Sequence, residues 1–149
     1  GLGSERAIKA ALARSGLAPE AVGYLCAHGT GTPANDAIEG AVVRRIFGET
    51  PPLVSSLKGA LGHCMGAASA IEAVACVQSV RTGMVPPTVN LDTPDPEIPI
   101  AVVRGEAVRS PKAVAVNNAL AFGGYNAALP FLPAAVTQAA VTWAEGSPS

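Results

Sequence analysis

Apolar residues recur along this chain with two patterns, one typical of amphipathic helices and one typical of short buried strands. The first helix is predicted just after Ser4, which would cap it, and Gly16 would end it, with Leu17 folding back as an apolar contact. Its apolar face consists of Ile8, Ala11 and Leu12. A continuous apolar run over residues 22–27 then predicts a buried strand.

A second helix follows a Gly/Thr-rich turn. Its early turns carry Asp36 and Glu39, where the helix dipole favours acidic residues, and Gly48 would end it. Its predicted buried face consists of Ile38, Val42, Val43, Ile46 and Phe47. Residues 53–56 predict the next strand, which leads into a loop over residues 57–62.

Residues 63–81 form an alanine-rich stretch that is nearly uncharged, and a helix that is apolar nearly all round is predicted to be buried. Glu72 inside it therefore requires a polar partner. Residues 85–99 hold five prolines and predict an ordered extended crossing. Further strands are predicted at residues 100–103, 113–116 and 127–132. The alternation predicts a layered α/β domain over residues 1–133, with a weakly patterned tail over 134–149 that is expected to fray.

The composition narrows the class of protein. Of the 149 residues, 49% are hydrophobic and 4% are aromatic, so aliphatic side chains build the core. Ten basic against eleven acidic residues do not point to a nucleic-acid or anionic-membrane partner, and no apolar run reaches the roughly 20 residues that span a bilayer. The cysteines, Cys26, Cys64 and Cys76, favour reduced thiols in a cytoplasmic protein. Since the chain opens on glycine without a secretory signal, it is expected to begin after processing, after a tag or inside a longer protein.

Three segments carry more chemistry than a plain core needs. The first is His28-Gly29-Thr30-Gly31-Thr32, at the end of a predicted strand, where open α/β sheets bind ligands. Glycines allow a ligand to approach closely, hydroxyl groups can bind it, and an imidazole can give or take a proton. A Gly/Thr-rich turn with an incidental histidine explains this motif equally well when it is taken alone.

The second segment begins at Lys58 and contains His63, with Glu72 nine positions after that histidine. At the start of a buried helix the positive end of the dipole disfavours the imidazolium, so His63 is predicted to be a neutral hydrogen-bond donor. Lys58 and Glu72 are by default solvated surface charges. For Glu72 a solvated surface position is less expected, because this acid lies inside an apolar helix.

The third segment is the turn Phe122-Gly123-Gly124, close to Asn126. Its backbone N–H groups suit an oxyanion, and Phe122 suits the closing of a pocket. Gly-Gly hairpin turns are common, so this motif alone is a weak indication of function.

Together, the order of these motifs resembles the β-ketoacyl-acyl-carrier-protein synthase family of fatty-acid and polyketide biosynthesis. The shared features are HGTGT, a lysine followed by Gly-His and Gly-Ala, a glutamate, a Pro-Pro-Thr-Val-Asn crossing, and a late Phe-Gly-Gly with an asparagine. The match covers residues 1–133 of this chain but only the second half of the family's domain. The resemblance implies an α/β fold that is one half of the thiolase-type αβαβα architecture, with a mixed five-stranded sheet between helices.

The resemblance also implies a reaction, the decarboxylative Claisen condensation of malonyl-acyl carrier protein with an acyl chain held on a cysteine. His28 and His63 would donate hydrogen bonds to the malonyl thioester oxygen, and removing such a donor costs about 3–4 kcal/mol. Lys58 would occupy the position of the family's active-site lysine, and Glu72 would be the acid that supports it.

The substrate-binding residues are carried over by resemblance in the same way. Thr30 and Thr32 would bind the phosphopantetheine arm of acyl carrier protein, and neither a cofactor of the chain's own nor a metal is implied. Phe122 would gate the pocket and supply an N–H to the oxyanion hole. The same turn contains Gly123, Gly124 and Asn126. A zinc site built from the cysteines and histidines is disfavoured because the usual ligand spacings are missing.

Several positions depart from the family's usual pattern. Cys26 stands where asparagine is common, and Leu57 stands where threonine usually precedes the lysine. Leu120 and Ala121 replace a common Phe-Gly, and Ala121 restricts the turn relative to glycine. The histidines, the lysine, the glutamate and the Phe-Gly-Gly turn are intact, which argues against a decayed site.

None of the three cysteines occupies the place of the family's nucleophile, which lies at a strand-to-helix elbow in the missing half. We therefore expect a partner that supplies this cysteine, as a separate subunit or as another piece of a cleaved precursor, and an assembled enzyme that is a dimer. Acyl carrier protein is the second expected partner. The main alternative is a non-catalytic scaffold, like the chain-length-factor subunits, although these commonly lose the catalytic residues that are present here. A thiolase, which carries a late catalytic cysteine, and a bare binding module are weaker alternatives.

Overall fold

The structure, a computed structural model, describes residues 1–98, 100–110 and 112–134. The expected fraying of the tail concerns residues that lie outside the described part, apart from Ala134. The helices are α1 (Leu2–Arg14), α2 (Pro33–Phe47), α3 (Lys58–Leu61) and α4 (Ala68–Thr82). The strands are β1 (Val22–Cys26), β2 (Leu53–Ser55), β3 (Met84–Val85), β4 (Val108–Arg109), β5 (Val114–Ala121) and β6 (Tyr125–Phe131).

The main sheet is mixed, as predicted, and its strand order is β2-β1-β5-β6. β1 pairs in parallel with both β2 and β5, whereas β6 is antiparallel to β5. Strands β3 and β4 form a separate antiparallel ribbon. The element order and the sheet confirm the α/β class.

Within the described ranges the main sheet has four regular strands, and the segment expected as a fifth adds a short parallel contact at its edge. The segment predicted as a strand at residues 100–103 contributes only one parallel bridge, between Val102 and Val54. Its backbone is engaged locally, because the N–H of Ile100 donates to Ile98 and the N–H of Val102 donates to Ile100. The same segment also exchanges two hydrogen bonds with β2, because the N–H of Val54 donates to the carbonyl of Ala101 over 3.3 Å and the N–H of Val103 donates to the carbonyl of Val54 over 2.8 Å.

Helices cover both faces of the sheet. α1 and α2 pack on one face, where the core contains Ile8, Leu12, Val22, Leu25, Val42, Val43, Ile46, Phe47, Val114 and Val116. α4 packs on the other face, where the core contains Tyr24, Cys26, Cys76, Val85, Val103 and Ala115. Ile38, predicted to face the core, is instead 44% exposed.

The two ends of α1 differ in how well the sequence predicted them. Gly16 has a left-handed φ of +63°, and the N–H of Leu17 donates to the carbonyl of Leu12 over 2.9 Å, as expected for a glycine-terminated helix. The prediction that Ser4 caps the helix was wrong. Ser4 lies inside α1, where its buried hydroxyl donates to Oδ1 of Asn118 over 3.2 Å.

The alanine-rich segment also differs from its prediction. The loop expected at residues 57–62 contains the short helix α3, and α4 begins at Ala68 rather than at His63. α4 is buried along one face only, and Val74 on the opposite face is 62% exposed. No described residue covers that apolar face, so the helix is more apolar than its environment in this chain requires. No helix in the described part of the chain has the length and apolar character that crossing a membrane needs.

Candidate active site

The predicted site residues follow strands that end at one edge of the sheet. His28 comes two residues after β1, and Lys58 comes three residues after β2. Because β1 and β2 are parallel and adjacent, their carboxyl ends bring the two loops together. His63, in the turn after α3, reaches the same place, and the ring centroids of His28 and His63 lie 5.4 Å apart in an edge-to-face arrangement.

Hydrogen bonding makes His63 a donor. The backbone N–H of Met65 donates to Nδ1 of His63 over 3.1 Å, so in the neutral ring the proton is on Nε2. The prediction of a neutral donor rested on a helix beginning at this histidine, but the helix begins five residues later, at Ala68. The contact with Met65, rather than the helix dipole, therefore defines the tautomer.

Burial keeps His28 neutral. Its side chain is buried, and burial is the main cause that lowers the pKa of His28 to about 4, with the positive charge of Lys58 and the neighbouring His63 acting in the same direction. At neutral pH this ring is an uncharged imidazole, in which one nitrogen donates a hydrogen bond and the other accepts one.

We expect the His28 ring to remain neutral at pH 5, where an ordinary histidine is protonated. As the pH falls below 6.5 the unfolded chain takes up this proton first, so the stability contributed by neutral His28 is lost between pH 6.5 and about 4. NMR titration of the two histidine rings measures this directly. Lys58→Met should raise the midpoint of His28 and the remote Lys9→Met should not, whereas a midpoint near 6.5 in the parent protein would contradict the burial argument.

Lys58 and Glu72 form the polar pair that the apolar helix required. Nζ of Lys58 donates to Oε1 of Glu72, and both side chains are nearly fully buried. The other carboxylate oxygen, Oε2, is buried and accepts no hydrogen bond from the described residues. The pair therefore places a compensated charge beside the histidines, in a region shielded from water.

The sequence analysis missed the role of Glu39, which it treated only as an acid favoured by the helix dipole. Glu39 is 4% exposed, and its carboxylate accepts hydrogen bonds from the backbone N–H groups of His28 at 2.7 Å and Gly29 at 2.8 Å. The side-chain amides of Asn118 and Asn35 donate to the same carboxylate at 2.8 and 3.2 Å. Burial raises the pKa of Glu39, against these four donors, which lower it. The available signal was an acid placed among the apolar residues of α2.

Ser56 connects the two loops that carry the site. Its hydroxyl donates to the carbonyl of Gly29 over 2.8 Å and accepts the N–H of Lys58 over 3.3 Å. Gly29 has a φ of +42°, and a Cβ there would overlap the Ser56 side chain. Glycine at this position therefore permits the close approach that joins the His28 loop to the Lys58 loop.

Thr30 and Thr32 lie together on the exposed side of the first loop, with their hydroxyl oxygens 3.0 Å apart. Both residues line a mainly apolar cavity of about 440 Å³, whose walls also include Lys58, Val43 and Val89. The two threonines, predicted as substrate-binding residues, thus stand at the rim of a recess beside the lysine.

The Phe-Gly-Gly turn projects from the same edge of the sheet. β5 runs parallel to β1 with Asn117 opposite Cys26, and it continues to Ala121 before the turn. Gly123 and Gly124 have φ near +80°, and Nδ2 of Asn126 donates to the carbonyl of Gly124 over 2.7 Å. Phe122 is 96% exposed, so in this chain the predicted gate does not pack into a closed pocket.

The three cysteines are free thiols, in agreement with the prediction from the sequence. Cys26 and Cys76 are buried, and a side-chain hydrogen bond with Cys26, together with burial, raises the pKa of the Cys76 thiol. Cys64 is half-buried and follows His63. In the described ranges, no three or more of the His, Cys, Asp and Glu side chains are arranged to hold a metal ion.

The fold is that of the thiolase-like ketosynthases. The solved structure "The ishigamide ketosynthase/chain length factor" matches with a TM-score of 0.81 at 42% identity, covering 85% of this chain and 31% of that chain. Residues 1–92 match the family model described as "Beta-ketoacyl synthase, C-terminal domain". The chain belongs to the β-ketoacyl synthase family, which confirms the resemblance that the motifs indicated.

Curated relatives agree with this membership. "Nodulation protein E" of Rhizobium meliloti is 46% identical over 131 residues, covering 87% of this chain and 33% of the relative. The "3-oxoacyl-[acyl-carrier-protein] synthase 2" of Synechocystis sp. is 44% identical over 133 residues, covering 88% of this chain and 32% of the relative. This chain therefore spans about a third of the length of these relatives.

Proposed function

We propose that this chain supplies the decarboxylation half of a β-ketoacyl synthase active site. The observation that carries the proposal is the contact between His28, which burial keeps neutral, and His63, whose Nδ1 accepts the Met65 N–H, beside a buried Lys58–Glu72 pair. The malonyl group, carried by acyl carrier protein, loses carbon dioxide, and the electron pair left behind forms an enolate. N–H donors on His28 and His63 stabilise the developing charge on the thioester oxygen.

The carbon–carbon bond then forms on an acyl group held by a cysteine. The enolate carbon attacks the acyl thioester carbonyl, and the cysteine thiolate leaves as the 3-oxoacyl product forms on the carrier protein. Phe122 contributes its N–H to the oxyanion of this step and acts as the gate. Thr30 and Thr32 bind the phosphopantetheine arm at the rim of the recess, and the chain needs no cofactor of its own.

A segment outside this chain supplies the nucleophile in this proposal. Cys26 and Cys76 are both fully buried. Cys64 lies in the turn after α3, where its thiol donates to the carbonyl of Leu61, and not at a strand-to-helix elbow. The exposed apolar face of α4 offers the surface on which such a segment packs. The assembled enzyme is a dimer, works in the cytoplasm and meets acyl carrier protein there. The names of the relatives support both a fatty-acid and a polyketide context.

The proposal is tested by making the chain together with the rest of its protein, as one polypeptide or two. We expect condensation of malonyl-acyl carrier protein with an acyl thioester by the assembly and none by the 149-residue chain alone. Intact-mass analysis of gently purified native protein should show a segment with an acylatable cysteine, joined to this chain or present in equal amount. Turnover by the isolated chain would refute the requirement for that segment.

The alternative function is a scaffold of the chain-length-factor type, favoured by the words "chain length factor" in the name of one structural neighbour. A scaffold does not need neutral histidine donors. Substitution of either histidine in the assembly therefore separates the two functions.

A further inference from the structure

The proline-rich crossing passes unusually close to the loop that carries Lys58. Its backbone at Val89 lies against Gly59, where a Cβ would overlap the Val89 carbonyl oxygen. Val89 lines the recess beside Thr30 and Thr32, whereas the proposed condensation assigns no role to the hydrogen bonds of Thr88 and Asn90, which belong to the motif Pro-Pro-Thr-Val-Asn. Its hydrogen bonds indicate what it does.

Thr88 anchors the residue at the start of the lysine loop. Its own N–H donates to the carbonyl of Val103 over 2.8 Å, which fixes the crossing to the neighbouring segment. Its hydroxyl then accepts the backbone N–H of Ser56 over 3.0 Å. Since Ser56 is buried, that N–H depends on Thr88 for its partner.

Asn90 holds the other side of the loop. Its side-chain amide donates to the carbonyl of Gly59 over 2.9 Å. Asn90 has a left-handed φ of +62°, a conformation that asparagine tolerates better than most residues, and this turn directs the chain past Gly59. Asn90 is exposed, so its bond contributes less than the bond at Thr88.

These two bonds flank Lys58, whose own N–H donates to the Ser56 hydroxyl. The same hydroxyl donates to Gly29, the neighbour of His28. A displacement of Ser56 would therefore move both the ammonium that reaches Glu72 and the backbone next to the histidine.

We propose that Thr88 and Asn90 are positioning residues that fix the Lys58 loop, and through Ser56 the His28 loop, in the arrangement the site requires. The catalytic part of this inference rests on the proposed function, whereas the ordering of the loop does not. A crossing that merely connects two elements would contribute to overall stability without any special effect on this loop.

The experiment compares Thr88→Val, Thr88→Ser and Asn90→Gly in the assembled protein. Asn90→Gly keeps the left-handed backbone accessible and removes only the side-chain donor. Thr82→Val is the matched control, because the Thr82 hydroxyl likewise accepts a backbone N–H, that of Met84, away from this loop. The first readout is hydrogen–deuterium exchange of peptides covering residues 56–62, and the second is kcat and KM for malonyl-acyl carrier protein.

We expect Thr88→Val to speed exchange over residues 56–62 about fivefold, with a smaller effect for Asn90→Gly and none for Thr88→Ser or Thr82→Val. We expect kcat to fall about 10- to 100-fold in Thr88→Val with little change in KM, and Thr88→Ser to restore it. Unchanged exchange over 56–62 in both Thr88→Val and Asn90→Gly overturns the inference, whether or not the protein condenses. If exchange changes as expected but the parent assembly shows no condensation, the proposed function fails while the positioning of the loop stands.

Discussion

His28→Ala in the assembled protein should lower the rate of condensation by about 10²- to 10³-fold. Removing one preorganised hydrogen-bond donor from a developing oxyanion has an effect of that size. His28 is buried, and its backbone N–H is held by Glu39, so the position of this donor is fixed by the fold. His63→Ala should have a comparable effect.

The control for this prediction is a different step of the same reaction. Acylation of the nucleophilic cysteine passes through no malonyl enolate, so both histidine variants should retain most of it. Rapid-quench measurement of acyl transfer, together with release of labelled carbon dioxide from malonyl-acyl carrier protein, separates the two steps. Condensation within threefold of the parent rate in both variants would favour the scaffold function instead.

Lys58→Met should destabilise the folded protein by about 3–5 kcal/mol, the second large effect. Glu72 would lose the ammonium that it contacts, among apolar residues of α4 and with Oε2 already lacking a hydrogen bond from the described residues. An uncompensated buried charge is penalised that strongly because neither water nor a counter-charge reaches it. Chemical denaturation, followed by circular dichroism, measures the loss.

Two comparisons make this second prediction specific. The double variant Lys58→Met/Glu72→Leu removes both charges and should recover most of the lost stability, since a buried ion pair is often replaceable by apolar residues. Lys9→Met breaks the exposed Lys9–Glu5 pair on α1 and should leave the free energy of unfolding nearly unchanged. If Lys58→Met proved no more harmful than Lys9→Met, the charge of Glu72 would not be buried in the protein.

The sequence predicted the elements around the site well because their signals are local. Glycine ends α1 and α2, and a continuous apolar run marks β1, which leads directly into the His28 loop. Parallel strands then bring the loops to one edge by geometry alone. The pairing of Lys58 with a buried Glu72 could also be anticipated, because an acid within an apolar helix needs a partner.

Other features depend on contacts that no local pattern reveals. The predicted strand at residues 113–116 was too short because Asn117 and Asn118 disfavour strands, yet both are buried in β5. Their partners are distant: Asn117 donates to the carbonyl of Ser69, and Asn118 donates to Glu39. Tertiary hydrogen bonds here override the weak propensity of asparagine for strands.

The burial of α4 was overestimated for a different reason. Periodicity reports that a helix face is apolar, but it does not report whether the same chain covers that face. Val74 and Val77 are exposed here, whereas Cys76 and Glu72 on the inner face are buried. The sequence thus predicts a helix that is buried on both faces, whereas the described residues bury only the inner face.

The position of β5 between β1 and β6 determines when the site forms during synthesis. Val22 pairs with Val114, and α1 packs against β6. The packing of α1 and the pairing of β1 with β5 can therefore form only after β5 and β6 have been synthesised. Such non-local pairing is slow because a long chain must close before any contact is gained. A nascent chain that ends before β5 already contains both histidines, Lys58 and Glu72, but β1 lacks one of its two neighbouring strands and Glu39 lacks Asn118. Addition of β5 and β6 therefore completes the sheet edge on which the candidate site residues lie.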